Sequence, residues 1–222
     1  MQNNKRADIK MKKKIILVGG GGHCKVIMDA IESVGEFKIY GITDSSLPKG
    51  TVVLNRKVLG KDDILPALFR KGISYAFIGV GSTGNCNIRK KIYENLKRIG
   101  FKLPVIIHPK AVVSKYVELG EGTFVAVGAV INAGTRVGKN VIINTSSSID
   151  HDCEIGDFVH VAPGVTLSGL VKVGDNVHIG TGASVVHCVT IERYTFIPAA
   201  ALVYKAEDGN AVWGTAHGKT VS

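Results

Sequence analysis

Acidic side chains surround one histidine in the C-terminal half of the chain. Asp150 and Asp152 flank His151, and Glu154 follows closely. A carboxylate beside an imidazole orients the ring and makes it more basic, and a general base needs both properties to take a proton near neutral pH. A solvated turn that contains a histidine is the alternative interpretation of this segment.

Four consecutive glycines, 19–22, stand between an apolar run and an amphipathic stretch. Residues 14–18 are typical of a strand and 26–34 of a helix, so the glycines and His23 form a loop from a strand into a helix. Backbone N–H groups at a helix start favour anions such as a pyrophosphate. Cys24 replaces the third glycine of a dinucleotide fingerprint, which weakens the case for a nicotinamide cofactor. A purely structural glycine turn remains the alternative.

The first half of the chain continues to alternate strand patterns with helix patterns. The predicted segments are strand 37–43, helix 61–71 with Asp62 and Asp63 as caps, strand 75–80, helix 87–99 and strand 105–107. This alternation is typical of a small parallel α/β sheet, and it predicts a Rossmann-like domain. The side chains predicted to face its core on the first and last helices are Val26, Ile27, Ala30, Ile31, Val34, Ile88, Ile92, Leu96 and Ile99.

The second half is dominated by a repeat of six residues. An aliphatic residue recurs at every sixth position from Ile107 to Val203, and a small or compact residue follows four positions after each, from Val117 to Ala201. This period fits neither a helix nor a simple strand and is typical of a parallel β-helix. The predicted parts of the chain are a flexible leader over 1–13, the Rossmann-like domain over 14–107, the β-helix over 108–205 and a tail over 206–222.

Because three hexapeptides complete one three-sided coil, residues 18 apart are expected to lie in one column. His160 and His178 therefore fall in neighbouring coils of the same column. His151 and His187 fall two coils apart in another column, with Gly169 between them. His151 occupies a position that points outward at a turn.

The composition limits the classes of partner. Of 222 residues, 45% are hydrophobic and 21% are charged, as in an ordinary folded protein. The net charge of +10, without an aromatic-basic pattern, favours acidic small molecules over nucleic acid. Four scattered cysteines predict free thiols in the cytoplasm and no metal site. There is no secretory signal pattern, and no apolar run approaches the ~20 residues of a membrane span.

The segment 143–161, INTSSSIDHDCEIGDFVHV, resembles the active-site stretch of bacterial sugar acetyltransferases. This family includes the sialic-acid O-acetyltransferases and the bacillosamine-pathway N-acetyltransferases, and 87–93 (NIRKKIY) resembles a helix opening of the latter. The resemblance covers about 14–205. It implies a Rossmann-like domain followed by a left-handed β-helix, and homotrimers that bind acetyl-CoA between neighbouring β-helices.

The resemblance also implies roles for individual residues. His151 would take the proton from the attacking amine or hydroxyl, Asp152 would raise its basicity where relatives carry Glu, and the Gly169 N–H would donate to the oxyanion. The residues implied to contact acetyl-CoA are Asn144, His160, Thr181 and Ala199. The residues implied to bind the nucleotide sugar are Gly21, Gly22, His23, Asp44, Gly79 and Gly81. For His160 and His178, a supporting role at the edge of a trimer is the alternative.

The end of the chain departs from these relatives. Where they carry Gly-Ala and then Gly-x-Pro-Ala-Lys, this chain has IPAAA over 197–201 and WGTAHGK over 213–219. We therefore expect the adenine end of coenzyme A to be held differently.

The expected activity is N-acetylation of a nucleotide-linked sugar of the UDP-4-amino-4,6-dideoxy type, in glycan or surface-polysaccharide synthesis. Direct transfer from the thioester is expected, because no activated Ser or Cys arrangement is visible. O-acetylation of sialic acid is the nearest rival, and a non-catalytic nucleotide-sugar-binding protein is a more remote one. A zinc carbonic anhydrase on this scaffold is disfavoured, since no two histidines stand five positions apart.

Overall fold

The structure is a computed structural model that describes residues 12–82, 84–205, 211–214 and 220–221. An α/β unit is followed by a long three-sided coil of short parallel strands. No helix in these ranges is long and apolar enough to cross a membrane. Residues 1–11 of the predicted leader and most of the predicted tail lie outside the described residues, and Lys13, at the end of that leader, already belongs to the first strand.

The α/β unit confirms the predicted alternation of strands and helices. Its elements are β1 (Lys13–Val18), α1 (Gly22–Val34), β2 (Phe37–Thr43), β3 (Val52–Val53), β4 (Arg56–Gly60), a 3₁₀ turn (Asp62–Ile64), α2 (Leu65–Arg70), β5 (Tyr75–Ile78) and α3 (Asn87–Ile99). The strand order is β3-β4-β2-β1-β5, and only the β3–β4 pair is antiparallel. The sequence pattern did not predict this β3–β4 hairpin.

Helix α1 covers one side of the sheet with a continuous apolar stripe. The buried residues of α1 are Cys24, Ile27, Met28, Ala30 and Ile31. Val26 and Val34, predicted to face the core, are exposed, because the stripe runs through Cys24 and Met28 instead. The helix ends at Gly35, whose left-handed backbone (φ 74°) lets its N–H bond the Ile31 carbonyl.

Helices α2 and α3 cover the opposite side of the sheet. Asp62 and Asp63 lie in the 3₁₀ turn and make no capping hydrogen bond, so the predicted caps are wrong. On α3, Ile88, predicted to face the core, is 64% exposed, and Arg89 is 1% exposed. The reason is that the first turn of α3 also faces the coil that follows.

From Ile106 onward, two-residue strands stack in parallel on three faces. Face A contains β6 (Ile106–Ile107), β9 (Phe124–Val125), β12 (Ile142–Ile143), β15 (His160–Val161), β18 (His178–Ile179) and β21 (Phe196–Ile197). Face B contains β7 (Val112–Val113), β10 (Val130–Ile131), β13 (Ser148–Ile149), β16 (Thr166–Leu167), β19 (Ser184–Val185) and β22 (Leu202–Lys205), extended by the antiparallel β23 (Ala211–Gly214) and β24 (Thr220–Val221). Face C contains β8 (Glu118–Leu119), β11 (Arg136–Val137), β14 (Glu154–Ile155), β17 (Lys172–Val173) and β20 (Thr190–Ile191).

The coil confirms the six-residue repeat. Val125, Ile143 and Val161 are fully buried in its interior, and so is Cys153, one of the compact residues four positions after an aliphatic one. The prediction that 105–107 closes the α/β sheet is wrong, because β6 pairs with β9 in face A.

A left-handed turn residue recurs once in every hexapeptide. Every sixth residue from 122 to 200 has φ between 50° and 80°. These residues bend the chain from one face to the next, and Asp152 is one of them (φ 56°). The prediction that His151 stands at a turn is thus confirmed.

A column of glycines lets successive coils stack closely at the turn from face C to face A. A Cβ on Gly156 would lie 2.7 Å from the Asp175 backbone nitrogen and 2.8 Å from the Gly174 carbonyl carbon. Gly120, Gly138 and Gly174 meet the coil above in the same way. Glu192 continues the column in the uppermost coil.

We expect Gly156→Ala to lower the free energy of unfolding by about 1–3 kcal/mol, because backbone must move to admit the methyl group. Glu192→Ala, at the top of the same column, is the matched control and is expected to change little. Chemical denaturation of both variants checks this. Equal stability of Gly156→Ala and the wild type would contradict the close stacking.

The α/β unit packs on face A through an apolar contact and a polar seam. Phe124 and Ile142 of face A are buried in one cluster with Ile27 of α1. Along the seam, the Tyr93 hydroxyl donates to Glu121 at 2.5 Å, and Lys97 pairs with Glu121 at 2.8 Å. These contacts hold the α/β unit, with its glycine loop, against face A.

Candidate active site

His151 and Asp152 form an exposed pair on the turn from face B to face C. His151 Nδ1 lies 2.8 Å from Asp152 Oδ2, and the left-handed backbone of Asp152 lets its carboxylate reach back to the ring. The Asp150 carboxylate accepts the His151 backbone N–H at 2.8 Å and is held in turn by Asn132. The hydrogen bond to Asp152 is the main cause that raises the pKa of His151. The pair can orient the ring with Nε2 available as a base.

Gly169 lies directly beside the His151 ring, one coil further along the column. A Cβ at Gly169 would come within 2.6 Å of His151 Nε2 and 2.7 Å of its Cε1. The ring therefore occupies the space that the missing side chain leaves. The Gly169 N–H donates no hydrogen bond to any described residue, so it is free to serve as the predicted oxyanion donor.

A crevice opens where the glycine loop meets face A. The residues that line it are Gly22, His23, Val26, Gly81, Ser82, Asn144 and His160. It brings two residues predicted to contact acetyl-CoA, Asn144 and His160, beside three predicted to bind the nucleotide sugar. Both units of the chain contribute to one cavity.

The glycine loop offers open space to a ligand. A Cβ at Gly21 or Gly22 would meet nothing within 4 Å, so packing does not require glycine at either position. The loop precedes α1, where unpaired backbone N–H groups favour anions. His23, beside it, is largely buried, and burial followed by the charge of Arg89 lowers its pKa to about 4. His23 is therefore a neutral wall of the crevice at physiological pH.

Asp44 and Gly79 are placed behind the loop. Asp44 accepts hydrogen bonds from the backbone N–H groups of Gly20 (2.7 Å), Ser46 (2.8 Å) and Leu47 (2.9 Å). Partial burial acts to raise its pKa, but these hydrogen bonds lower it overall. Gly79 is buried against the Gly19 carbonyl and Cys24. Both residues support the loop, and direct contact of Asp44 with a ribose stays a prediction.

Asn144 and His160 are joined in a short chain of hydrogen bonds. Asn144 Oδ1 accepts the Thr145 backbone N–H at 2.8 Å, and Asn144 Nδ2 lies 3.2 Å from His160 Nε2. On the other side of the ring, His160 Nδ1 lies 2.8 Å from the Ser82 carbonyl oxygen. The loop after β5 thus contacts face A through this histidine.

Thr181 and Ala199 stand with Asn144 on the turn from face A to face B. Both are exposed, and their coils are joined by a hydrogen bond from the Ala200 N–H to the Thr181 carbonyl at 2.8 Å. His151 stands on the opposite edge of face B. One chain therefore does not bring the His151–Asp152 pair and the crevice together.

The predicted column of His160 and His178 is confirmed. The two residues pair in neighbouring strands, with ring centroids 4.8 Å apart in an edge contact. The His178 ring also stacks on Phe196 in the next strand at 5.2 Å. Burial is the main cause that lowers the pKa of both histidines, to about 3 for His160.

Face C carries a wider groove lined by charged residues. Of these, Glu154 lies 3.3 Å from Lys172, and Arg136 lies 4.0 Å from Glu118 outside the groove. This groove contains neither the histidine pair nor the glycine loop. Within the described ranges, no group of three or more His, Cys, Asp or Glu side chains is placed to hold a metal ion.

Arg89 and Ser82 are the residues near the crevice that the sequence did not single out. Arg89 stands on the buried stripe of α3, four residues before Tyr93, and an arginine in an apolar stripe is the signal that could have found it. Ser82 follows β5 in a short glycine-bounded loop and contributes a backbone carbonyl, for which no sequence signal exists.

Taken together, an α/β unit with a ligand-accessible glycine loop, a three-sided hexapeptide coil and an outward histidine–carboxylate pair define a hexapeptide-repeat acyltransferase. Comparisons with known proteins agree. The PglD N-terminal domain family matches residues 14–96, and the bacterial transferase hexapeptide family matches residues 134–169.

The chain is similar to solved structures over most of its length. A mutant of perosamine N-acetyltransferase from Caulobacter crescentus, in complex with CoA and GDP-perosamine, is 36% identical over 86% of this chain and 92% of that one (TM-score 0.78). The acetyltransferase domain of PglB from Neisseria gonorrhoeae, in complex with acetyl coenzyme A, is 33% identical over 87% and 96% (TM-score 0.74).

The curated UDP-N-acetylbacillosamine N-acetyltransferase of Bacillus subtilis is 32% identical over 126 residues, a match that spans 51% of each protein. The match therefore covers about half the length of that relative. The chain belongs to the hexapeptide-repeat sugar acetyltransferases that carry a PglD-type N-terminal domain. The predicted fold, an α/β domain followed by a left-handed β-helix, is confirmed.

Proposed function

We propose that this chain transfers an acetyl group from acetyl-CoA to the amino group of a nucleotide-linked sugar of the UDP-4-amino-4,6-dideoxy type. The observation that carries the proposal is the exposed His151–Asp152 pair beside Gly169. Relatives described with CoA, acetyl coenzyme A and GDP-perosamine support the two substrates. The open space before Gly21 and Gly22 supports a diphosphate at the start of α1.

The proposed mechanism follows from the geometry of the pair. The amine nitrogen adds to the thioester carbonyl carbon, and His151 Nε2 takes a proton from that nitrogen. Asp152 accepts the Nδ1–H hydrogen bond and stabilises the imidazolium, while the Gly169 N–H donates to the developing oxyanion. The C–S bond then breaks, and the imidazolium returns its proton to the departing thiolate.

The proposal includes a homotrimer in which the active site lies between chains. His151 and the crevice stand on opposite edges of face B, so a neighbouring chain would supply the missing half. The outward residues of face B support this contact, because Val112, Ser148, Thr166, Ser184 and Leu202 are uncharged, whereas face C is charged. Light scattering coupled to size-exclusion chromatography tests it; a monomer that turns over would contradict a shared site.

We place the enzyme in the cytoplasm and its product in glycan or surface-polysaccharide synthesis. All four cysteines are free thiols, three of them buried, which supports a reducing compartment.

Thiol release from acetyl-CoA with a panel of acceptors tests the proposed substrate. The panel contains UDP- and GDP-linked 4-amino sugars, free sialic acid and nucleotide-linked sialic acid. We expect turnover only with amino sugars. Turnover only with sialic acids would replace the proposal by O-acetylation, and nucleotide-sugar binding without turnover on any acceptor would favour a binding protein.

The pH dependence of the rate tests the role of Asp152. Its hydrogen bond is the main cause that raises the pKa of His151, so Asp152→Asn is expected to lower that pKa. The neutral, active ring then persists to lower pH, and the acidic limb of the kcat/KM profile moves to lower pH. The maximal rate falls roughly tenfold or more, because the base is weaker and less oriented. Asp150→Asn is the matched control, with a smaller shift, since Asp150 contacts the backbone and not the ring. An unmoved acidic limb in Asp152→Asn would exclude the pair as the base.

A further inference from the structure

One buried arginine pairs with no carboxylate among the described residues. Arg89, in the first turn of α3, is 1% exposed and donates a hydrogen bond from Nη2 to the Phe158 carbonyl at 2.5 Å. Its Nε has no acceptor among the described residues. Burial lowers the pKa of Arg89 to about 10, opposed only by Cys86. A buried, unpaired cation is costly, so its retention calls for a reason.

The charge of Arg89 acts on three histidines from two units. His23 comes from α1, and His160 and His178 come from face A; Cys86, which directly precedes α3, acts on Arg89 itself. For each histidine, burial is the first cause that lowers the pKa, and the positive charge of Arg89 lowers it further. The cluster is therefore neutral around one fixed cation.

The hydrogen bonds of His160 admit one arrangement of protons. The Thr145 backbone N–H can only donate, so the Asn144 atom facing it is the oxygen and the amide nitrogen faces His160. His160 Nε2 must then accept from Asn144. The Ser82 carbonyl can only accept, so the proton stands on Nδ1. A second proton, on Nε2, would place the ring N–H opposite the Asn144 side-chain N–H.

We propose that His160 is a positioning residue for Asn144. Held between the Ser82 carbonyl and the Asn144 amide as the neutral Nδ1–H tautomer, it turns the remaining Asn144 N–H toward the crevice as a fixed donor. The oxygen that this donor meets belongs to the bound substrate, an assignment that rests on the proposed function. The loop after β5 thereby sets the geometry of a side chain on the β-helix.

Nuclear magnetic resonance of histidine-ring-labelled full-length protein tests the proposal without any turnover. Signals are assigned with His160→Gln and His178→Gln. In the wild type between pH 5 and 8, we expect His160 to keep the chemical shifts of a neutral Nδ1–H ring. A neutral Nε2–H ring, or a His160 ring that titrates in this range, would overturn the proposal.

Variants of Arg89 separate charge from packing. In Arg89→Met the pKa values of His23, His160 and His178 are expected to rise, whereas Arg89→Lys keeps the charge and holds them low. Tyr93→Phe is the matched control, because it removes a contact of the same α3 seam, the bond to Glu121, without changing charge near the histidines. Unchanged histidine pKa values in Arg89→Met would contradict a role for its charge.

The variant Asn144→Asp tests the hydrogen-bond chain independently of whether Arg89→Met folds. It places an acceptor opposite His160 Nε2, so we expect His160 to gain a proton on Nε2, seen as a change in tautomer or a raised pKa. A His160 ring that keeps the wild-type shifts in Asn144→Asp would overturn the proposed chain. Loss of activity with the expected shifts in place would instead bear only on the proposed function.

Discussion

His151→Ala is expected to lower kcat by about 10²–10⁴-fold while the protein still binds the nucleotide sugar and coenzyme A almost normally. The reason is that the ring is exposed and contacts Asp152 and Gly169, so its loss removes proton transfer and leaves the coil interior intact. Initial rates of thiol release and calorimetric binding of each substrate measure the two effects separately.

His187→Ala is the matched control for this variant. His187 stands two coils further along the same column and is also exposed, but its ring contacts Cys188 instead of a carboxylate. We expect its rate to stay within about threefold of the wild type. A large loss in both variants would point to damage of the column as a whole, and normal turnover of His151→Ala would exclude His151 as the base.

Gly169→Ala is expected to lower kcat about 10²-fold, because the new methyl group would occupy the position of the His151 ring. A Cβ there comes within 2.6 Å of His151 Nε2, so the ring must move by roughly an ångström from its place beside the proposed oxyanion donor. The backbone itself can carry a side chain at this position, since Ala133 holds the equivalent turn two coils below.

The stability of Gly169→Ala shows whether a lower kcat comes from displacement of the His151 ring or from damage to the coil. The variant is expected to unfold at nearly the wild-type denaturant concentration, because the methyl group meets an exposed side chain and not backbone. Gly156→Ala, whose methyl group meets backbone, gives the opposite pattern of lower stability. Normal turnover by Gly169→Ala would contradict the placement of the His151 ring beside Gly169.

The coil was predictable because its signal is local and repeated. Every inward aliphatic residue from Val125 to Ile197 is buried, and the 18-residue column that joins His160 to His178 follows from that period alone. The ends of β2 at Thr43 and of α3 at Ile99 were also predictable, because Asp44 and Gly100 follow them. Gly100, with φ 107°, ends α3.

Packing between the two units could not be read from the sequence. Ile88 is exposed against expectation and Arg89 is buried, because α3 contacts Phe158 of the coil as well as its own sheet. Strand β6 pairs with β9 of the coil instead of with the α/β sheet. A two-residue strand carries too little pattern to show which of the two sheets it joins. Nor did the sequence indicate that the Asp44 carboxylate accepts hydrogen bonds from Gly20 of the glycine loop and from its own following turn.

The candidate site was predictable in its residue types and less so in their grouping. Asp152 places its carboxylate beside His151 because the two residues are neighbours at a turn. Gly169 lies beside the ring because it stands 18 residues further on in the same column. That Asn144 and His160 share a crevice with His23 depends on how the α/β unit packs on face A, a long-range contact without a sequence period.

The most direct test of the proposed activity is the chemical identity of the product. Acetyl-CoA labelled with ¹³C at the acetyl carbonyl is incubated with the enzyme and a UDP- or GDP-linked 4-amino sugar, and the product is examined by ¹³C nuclear magnetic resonance and mass spectrometry. We predict one acetyl group in an amide at the former amine, resistant to mild alkaline hydroxylamine. An ester that hydroxylamine cleaves, or no acetylated sugar from any amino acceptor, would contradict transfer to nitrogen.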